Sequence, residues 1–240
     1  MASEFHLNAV REQAAALRTA AVAAGPDAAV PTCPGWDVRK LVRHLGRVYA
    51  MAGLALELDP AAERPSPPRP PEDFDEALAW QDERLRHLVE ALSTAAGDPV
   101  WAFFPDGSAT SWARRMAHET AVHRLDVEAA RTSAPELIFT PDLAADGIDE
   151  MLALLLPLGD WSAGTGSGRV VYHAADAGRT WSVAYQPGLR PTVGETTDAA
   201  LDVDATVAGT ADALYRQVWG RPSGAVITGD RALAGLAAGR

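Results

Sequence analysis

Leu7, Val10, Ala14, Leu17 and Ala21 recur at helical spacing and Gly25-Pro26 ends the pattern, which predicts a first helix over Glu4–Ala24. His6, in its opening turn, reads as a solvated residue. After a loop, Asp37 stands where an N-cap belongs and Trp36 before it suits a hydrophobic staple. Leu41, Leu45, Val48 and Ala52 form the buried stripe of this second helix, and His44 borders that stripe. Residues 59–72 (DPAAERPSPPRPPE) exclude helix and central strand, because proline lacks the amide donor and fixes φ. They predict a semi-rigid, partly polyproline connector across the surface rather than a ligand for a proline-binding module. Phe74, Leu78, Gln81, Leu85, Leu88 and Leu92 give a third helix over Phe74–Ala96, closed by Gly97, with His87 on its exposed side. Residues 99–110 carry aromatics and an Asp-Gly turn, after which Thr110 or Ser111 caps a fourth helix running to about Ala130. These elements make a four-helix bundle.

The pattern changes after Arg131. Pro141–Leu156 reads as a fifth helix, and Arg169–Ala174 and Thr180–Gln186 alternate as strands around the turn Asp176–Gly178. Leu201–Ala208 alternates again, Thr210 caps the helix ADALYRQVWG, and AVITGD is a short strand before a final helix. The expected architecture is multidomain, α then α+β: a bundle over residues 1–135 and a small α+β domain over 136–240.

Composition adds limits. With 48% hydrophobic and 22% charged residues in 240, the chain is an ordinary globular protein able to bury real cores. Its net charge of −11 argues against nucleic acid and anionic membrane as partners, and an acidic substrate would need a local arginine cluster. No apolar run approaches the ~20 residues of a spanning helix, and MASEFHLNAV lacks the regions of a signal peptide, so a cytoplasmic protein is expected. The single cysteine, Cys33, rules out an internal disulfide and a cysteine-based zinc site. In the turn TCPGW it reads as a small packed residue; it has no neighbouring histidine in sequence to make it reactive.

The chemistry concentrates in Met116–Glu128, MAHETAVHRLDVE. At about 100° per residue, Glu119 and His123 lie roughly 40° apart on one helix face. His118 and His123 are five apart, about 140° around the helix, so HETAVH is not an H-E-x-x-H zinc motif. A carboxylate and an imidazole one turn apart can close on a divalent cation if a third ligand comes from another bundle helix, and His44 is the candidate. Asp126, three after His123, can accept from its second ring nitrogen. The bland alternative pairs Glu119 with an arginine and leaves His123 as a core histidine. Two histidines and one carboxylate would leave a position open for water or substrate, as in catalytic zinc sites, although such a set also accepts nickel or iron.

The strings CPGWDVRKLVRHLG and MAHETAVHRLDVE, with LYRQVWGRP and ITGD near the end, resemble the mycothiol-dependent maleylpyruvate isomerase family. The resemblance implies a DinB-like metal-binding bundle followed by a sterol-carrier-like α+β domain. It implies a divalent metal, usually zinc, on His44, Glu119 and His123, mycothiol as thiol cosubstrate, and an active-site arginine in the second domain: Arg221 from the WGR run, with Arg216 second. The implied reaction is cis–trans isomerisation, in which the thiolate adds to the double bond of a small, anionic electrophile, the new single bond rotates, and elimination regenerates the thiol. Arg221 would hold a substrate carboxylate in a cleft between the domains. The same apparatus serves a mycothiol S-transferase if the adduct is kept; a metal-hydroxide hydrolase and a non-catalytic ligand-binding protein are the other readings.

Overall fold

The computed structural model describes residues 3–95, 97–131, 138–195 and 203–238. The chain forms two compact units, Met1–Glu136 and Leu137–Arg240; the boundary expected near residue 135 lies outside the described residues.

The first unit is a four-helix bundle of α1 (Glu4–Ala24), α2 (Val38–Ala55), α3 (Phe74–Thr94) and α4 (Ala109–Arg131), with α1 packed along α4 and α2 along α3. Leu17, Leu41, Leu45, Leu88, Leu92, Trp112 and Met116 are almost completely enclosed. Each such side chain contributes about 1.5–3 kcal/mol by leaving water. Asp37 caps α2 by accepting from Lys40 N at 2.8 Å, as its position predicted. The cap of α4 differs from expectation: Ser108 Oγ accepts from Ser111 N and Ser111 Oγ accepts from Ser108 N at 2.8 Å, a reciprocal capping box that starts the helix at Ala109. His6 also departs from its reading, being buried rather than solvated. Within the core, Tyr49 on α2 and Thr120 on α4 share a hydrogen bond of 2.8 Å, which fixes the facing of the two helices that carry His44 and Glu119.

The second unit contains α5 (Pro141–Asp149), β1 (Gly168–Ala174), β2 (Arg179–Gln186), β3 (Leu189–Glu195), β4 (Ala205–Gly209), α6 (Ala211–Val218), β5 (Val226–Gly229) and α7 (Arg231–Ala234). The sheet is mixed, in the order β3-β2-β1-β4-β5, with β1 parallel to β4 and the other pairs antiparallel. Thr210 caps α6 as expected. Two departures have clear causes. The helix expected over Pro141–Leu156 is α-helical only to Asp149; it widens to π geometry over Glu150–Leu155 and tightens to 3₁₀ at Leu156–Leu158, where Pro157 cannot donate. Strand β3 was not expected, because Pro191 and Gly194 mask its alternation; both are tolerated on an edge strand. The start of the strand expected over Leu201–Ala208 lies outside the described residues.

Candidate metal centre

Helix α4 is unusual in burying polar groups: Arg115, His118, Thr120, His123 and Asp126 are all enclosed. Buried polar groups are retained only when paired, so their partners define what the helix is for. Glu119 Oε1 lies 3.2 Å from His44 Nε2 and 3.3 Å from His123 Nε2, while its other oxygen accepts from Arg115 Nη2 at 3.0 Å. The arginine pairing of the bland reading and the convergence with two histidines are therefore both present, one on each oxygen. His118 is buried on a different side of the helix, as its spacing predicted.

The three donor atoms of His44, Glu119 and His123 lie within 4.8 Å of one another. Ligand atoms held 2.0–2.1 Å from a tetrahedral ion are about 3.3–3.4 Å apart, close to both measured edges. Proton accounting points the same way. His123 Nδ1 sits 2.9 Å from Asp126 Oδ2 and must donate to it, so a neutral ring turns the lone pair of Nε2 toward Glu119 Oε1. Two acceptors facing each other at 3.3 Å require a proton or a metal cation between them. The donor set thus fits a divalent ion.

In the metal-free protein a proton serves. Burial opposes the charged ring, but hydrogen bonds with Asp126, Cys33 and Glu119 outweigh it and raise the His123 pKa well above the usual histidine value. Burial would also push the Glu119 carboxyl up; the bonds from His123 and His44, and the charges of His123 and Arg115, instead hold it well below the usual carboxylate range.

The arrangement is open on one side. Side-chain exposure is 35% for His44 and 21% for Glu119 but 11% for His123, so solvent reaches the cluster from the α2 side. Asp126 by contrast is completely enclosed, accepting from Thr32 Oγ at 2.6 Å and from Cys33 Sγ at 3.4 Å. Cys33, His123 and Asp126 could also gather round a cation, but there both oxygens of Asp126 already accept hydrogen bonds, from Thr32, Cys33 and His123. Asp126 is better suited to orient His123. Cys33, read from sequence as having no histidine near it, is brought beside His123 by the fold of the 26–37 loop. The same loop lays Trp36 edge-on against His44, with ring centroids 4.9 Å apart, and parallel to His123 at 6.3 Å. Its indole is a wall of the site, a role beyond the expected staple.

The two candidate arginines belong to the second unit. Arg216 is buried and its Nε donates to Asp212 at 2.7 Å, an intrahelical ion pair. Arg221, just past α6, is half-buried and donates to the Trp219 carbonyl.

The sequence matches two family models end to end: "Mycothiol maleylpyruvate isomerase N-terminal domain" over residues 7–128 and "MDMPI C-terminal domain" over residues 142–236. The chain belongs to the mycothiol maleylpyruvate isomerase family. Among solved structures, the fold of this family member is similar to the mycothiol-dependent maleylpyruvate isomerase, with a TM-score of 0.63 at 14% identity over 95% of this chain and 93% of that one. A histidine-to-alanine mutant of that isomerase gives a TM-score of 0.61 at the same identity and coverage. Comparison with curated proteins finds no match. No described helix of this family member is long and apolar enough to cross a membrane.

Proposed function

We propose that this protein is a metal- and mycothiol-dependent enzyme of maleylpyruvate isomerase type, with zinc as the metal and His44, Glu119 and His123 as its ligands. The observation that carries the reading is the placement of one carboxylate oxygen within 3.3 Å of imidazole nitrogens from two different helices. Family membership supplies the thiol. A divalent ion bound there with an open position supplies acidity, favouring a thiolate over a thiol at neutral pH.

The side chains have separable tasks. Arg115 takes one oxygen of Glu119 and so turns the other toward the histidines. Asp126 accepts a hydrogen bond from Nδ1–H of His123 and so leaves the lone pair of Nε2 available to a metal. Trp36 shields both rings from bulk water on one side, while the exposed edges of His44 and Glu119 leave room for a thiol and an electrophile. Sulfur addition to a cis double bond, rotation and elimination returns the thiol and yields the trans isomer. Retention of the adduct instead is the S-transferase reading.

The test mixes mycothiol and maleylpyruvate with the full-length protein and follows the absorbance of the enol product. Thiol-dependent conversion with the thiol recovered unchanged is expected. A stable mycothiol adduct in the mass spectrum establishes the transferase instead, and neither product over a panel of electrophiles overturns both. Asp126→Asn is expected to weaken zinc binding by about 10–100-fold, the usual effect of losing a ligand-orienting carboxylate. Competition with a chromophoric chelator reads it; unchanged affinity would remove Asp126 from that role.

A further inference from the structure

We infer that the proline-rich segment 59–72 and the exposed face of α2 form an oxyanion site beside His44, in which Arg47 and Arg69 take a carboxylate of the substrate. This rests on the reading of His44 as part of the reactive centre. Two cavities, of about 530 and 540 Å³, meet along α2 and share His44 and Arg47. The first is lined by Trp36, Lys40, Arg43, His44, Arg47 and Arg69, with Glu72 as its one carboxylate. The second continues past Arg47 under Arg64 and Pro65.

A chain of net charge −11 thus gathers four cationic side chains around one cavity, and that cavity shares His44 with the candidate metal centre. Their charges are not equally committed. Glu72 neutralises Arg43 at 2.6 Å, and this pair ties the end of the segment to α2. Lys40, the only lysine in the chain, donates to the carbonyl of Gly35 at 2.8 Å, which leaves its charge intact. Among the described residues, no ion pair involves Arg47 or Arg69. Like charges collected in a groove focus their field there, and an arginine fork matches a carboxylate in shape.

The prolines explain how exposed arginines act as a site. In RPSPPRPP both arginines directly precede a proline, so the backbone at Arg64 and Arg69 is biased to extended conformations. Arg69, between Pro68 and Pro70, is presented from a stiff backbone, and less entropy is lost when it closes on a ligand. Pro65 is buried and anchors the middle of the segment. Arg64 and Arg69 thus line one cavity each, with Arg47 common to both.

The test titrates succinate, an unreactive dicarboxylate, and succinamide, its neutral counterpart, into full-length protein by calorimetry. Arg47→Gln and Arg69→Gln serve as variants, both exposed and so expected to fold normally. Succinate binding is expected, weakened about tenfold by each substitution, further by both, and by raising the salt. Succinamide is expected to bind far more weakly. Succinate binding equally well to the double variant, or succinamide equally well to the unsubstituted protein, overturns the proposal. The titration needs no turnover, so a protein without isomerase activity would still show whether the arginines bind the dicarboxylate.

Discussion

Replacing His123 with alanine is expected to leave a folded protein that purifies with less than about a tenth of an equivalent of zinc and has lost thiol-dependent turnover on the order of a thousandfold or more. Removing only the residue that orients a ligand costs about 10–100-fold in affinity, and removing the ligand costs more. His123 is the most enclosed of the three donors, and its Nε2 lies 3.3 Å from Glu119. The variant leaves Glu119 with Arg115 and His44 as partners, so the carboxylate is not stranded and a moderate loss of stability is expected. His44→Ala is the second arm: its ring is partly exposed, the substitution opens little cavity, and the loss of metal should be similar. Metal analysis by mass spectrometry and thermal melts of both variants separate a missing ligand from a missing fold. Full zinc content in both, with activity retained, would remove the three-residue set from the mechanism.

Glu119 shows most clearly what a sequence can and cannot disclose. Its spacing from His123 is a property of the α-helix, so their shared face was legible without coordinates. That His44 would face them was legible only as a possibility, because the Tyr49–Thr120 bond and the packing of α2 set the meeting of two helices. The bounds of α1 and the cap at Asp37 were legible because glycine, proline and a short carboxylate act locally. Contacts made across the chain were not. Thr32 and Cys33 meet Asp126 more than 90 positions away, and Trp36 lies over two rings that no periodicity connects to it. The π turn at Glu150 is similarly invisible, since it arises from one extra residue per turn with no change in apolar pattern. Residues 59–72 were legible as a stiff connector; that they wall two cavities beside His44 was not, because proline content fixes backbone shape and says nothing of what the segment lies against.

Stripping the metal is expected to lower the melting temperature at pH 8 by roughly 10 °C or more, and by much less at pH 5. The first figure follows from mass action: an ion present at about 1,000 times its dissociation constant adds about 4 kcal/mol, at a few degrees per kcal/mol. The dependence on pH follows from the two groups that share the site. The His123 pKa is raised in the folded metal-free protein, so its contribution is complete below about pH 6.5, the unfolded value, and is lost as pH rises through the raised one. The Glu119 pKa is lowered, so its contribution is complete above about pH 4.3 and is lost as pH falls through the depressed value. From these two groups the metal-free protein gains most between about pH 4.3 and 6.5 and declines above that window. Metal binding runs opposite, because the ion must displace the proton on Nε2, so its affinity rises with pH until His123 would be neutral anyway. The difference in melting temperature between loaded and stripped protein should therefore widen from pH 5 to pH 8, with proton release on zinc addition measurable by calorimetry in buffers of different ionisation enthalpy. In His123→Ala, compared with the unsubstituted protein with both metal-free, the decline in melting temperature above about pH 6.5 should shrink, which separates His123 from the other titrating residues. A constant difference across that range, with no proton released, would mean that no ion takes the place of the proton between His123 and Glu119.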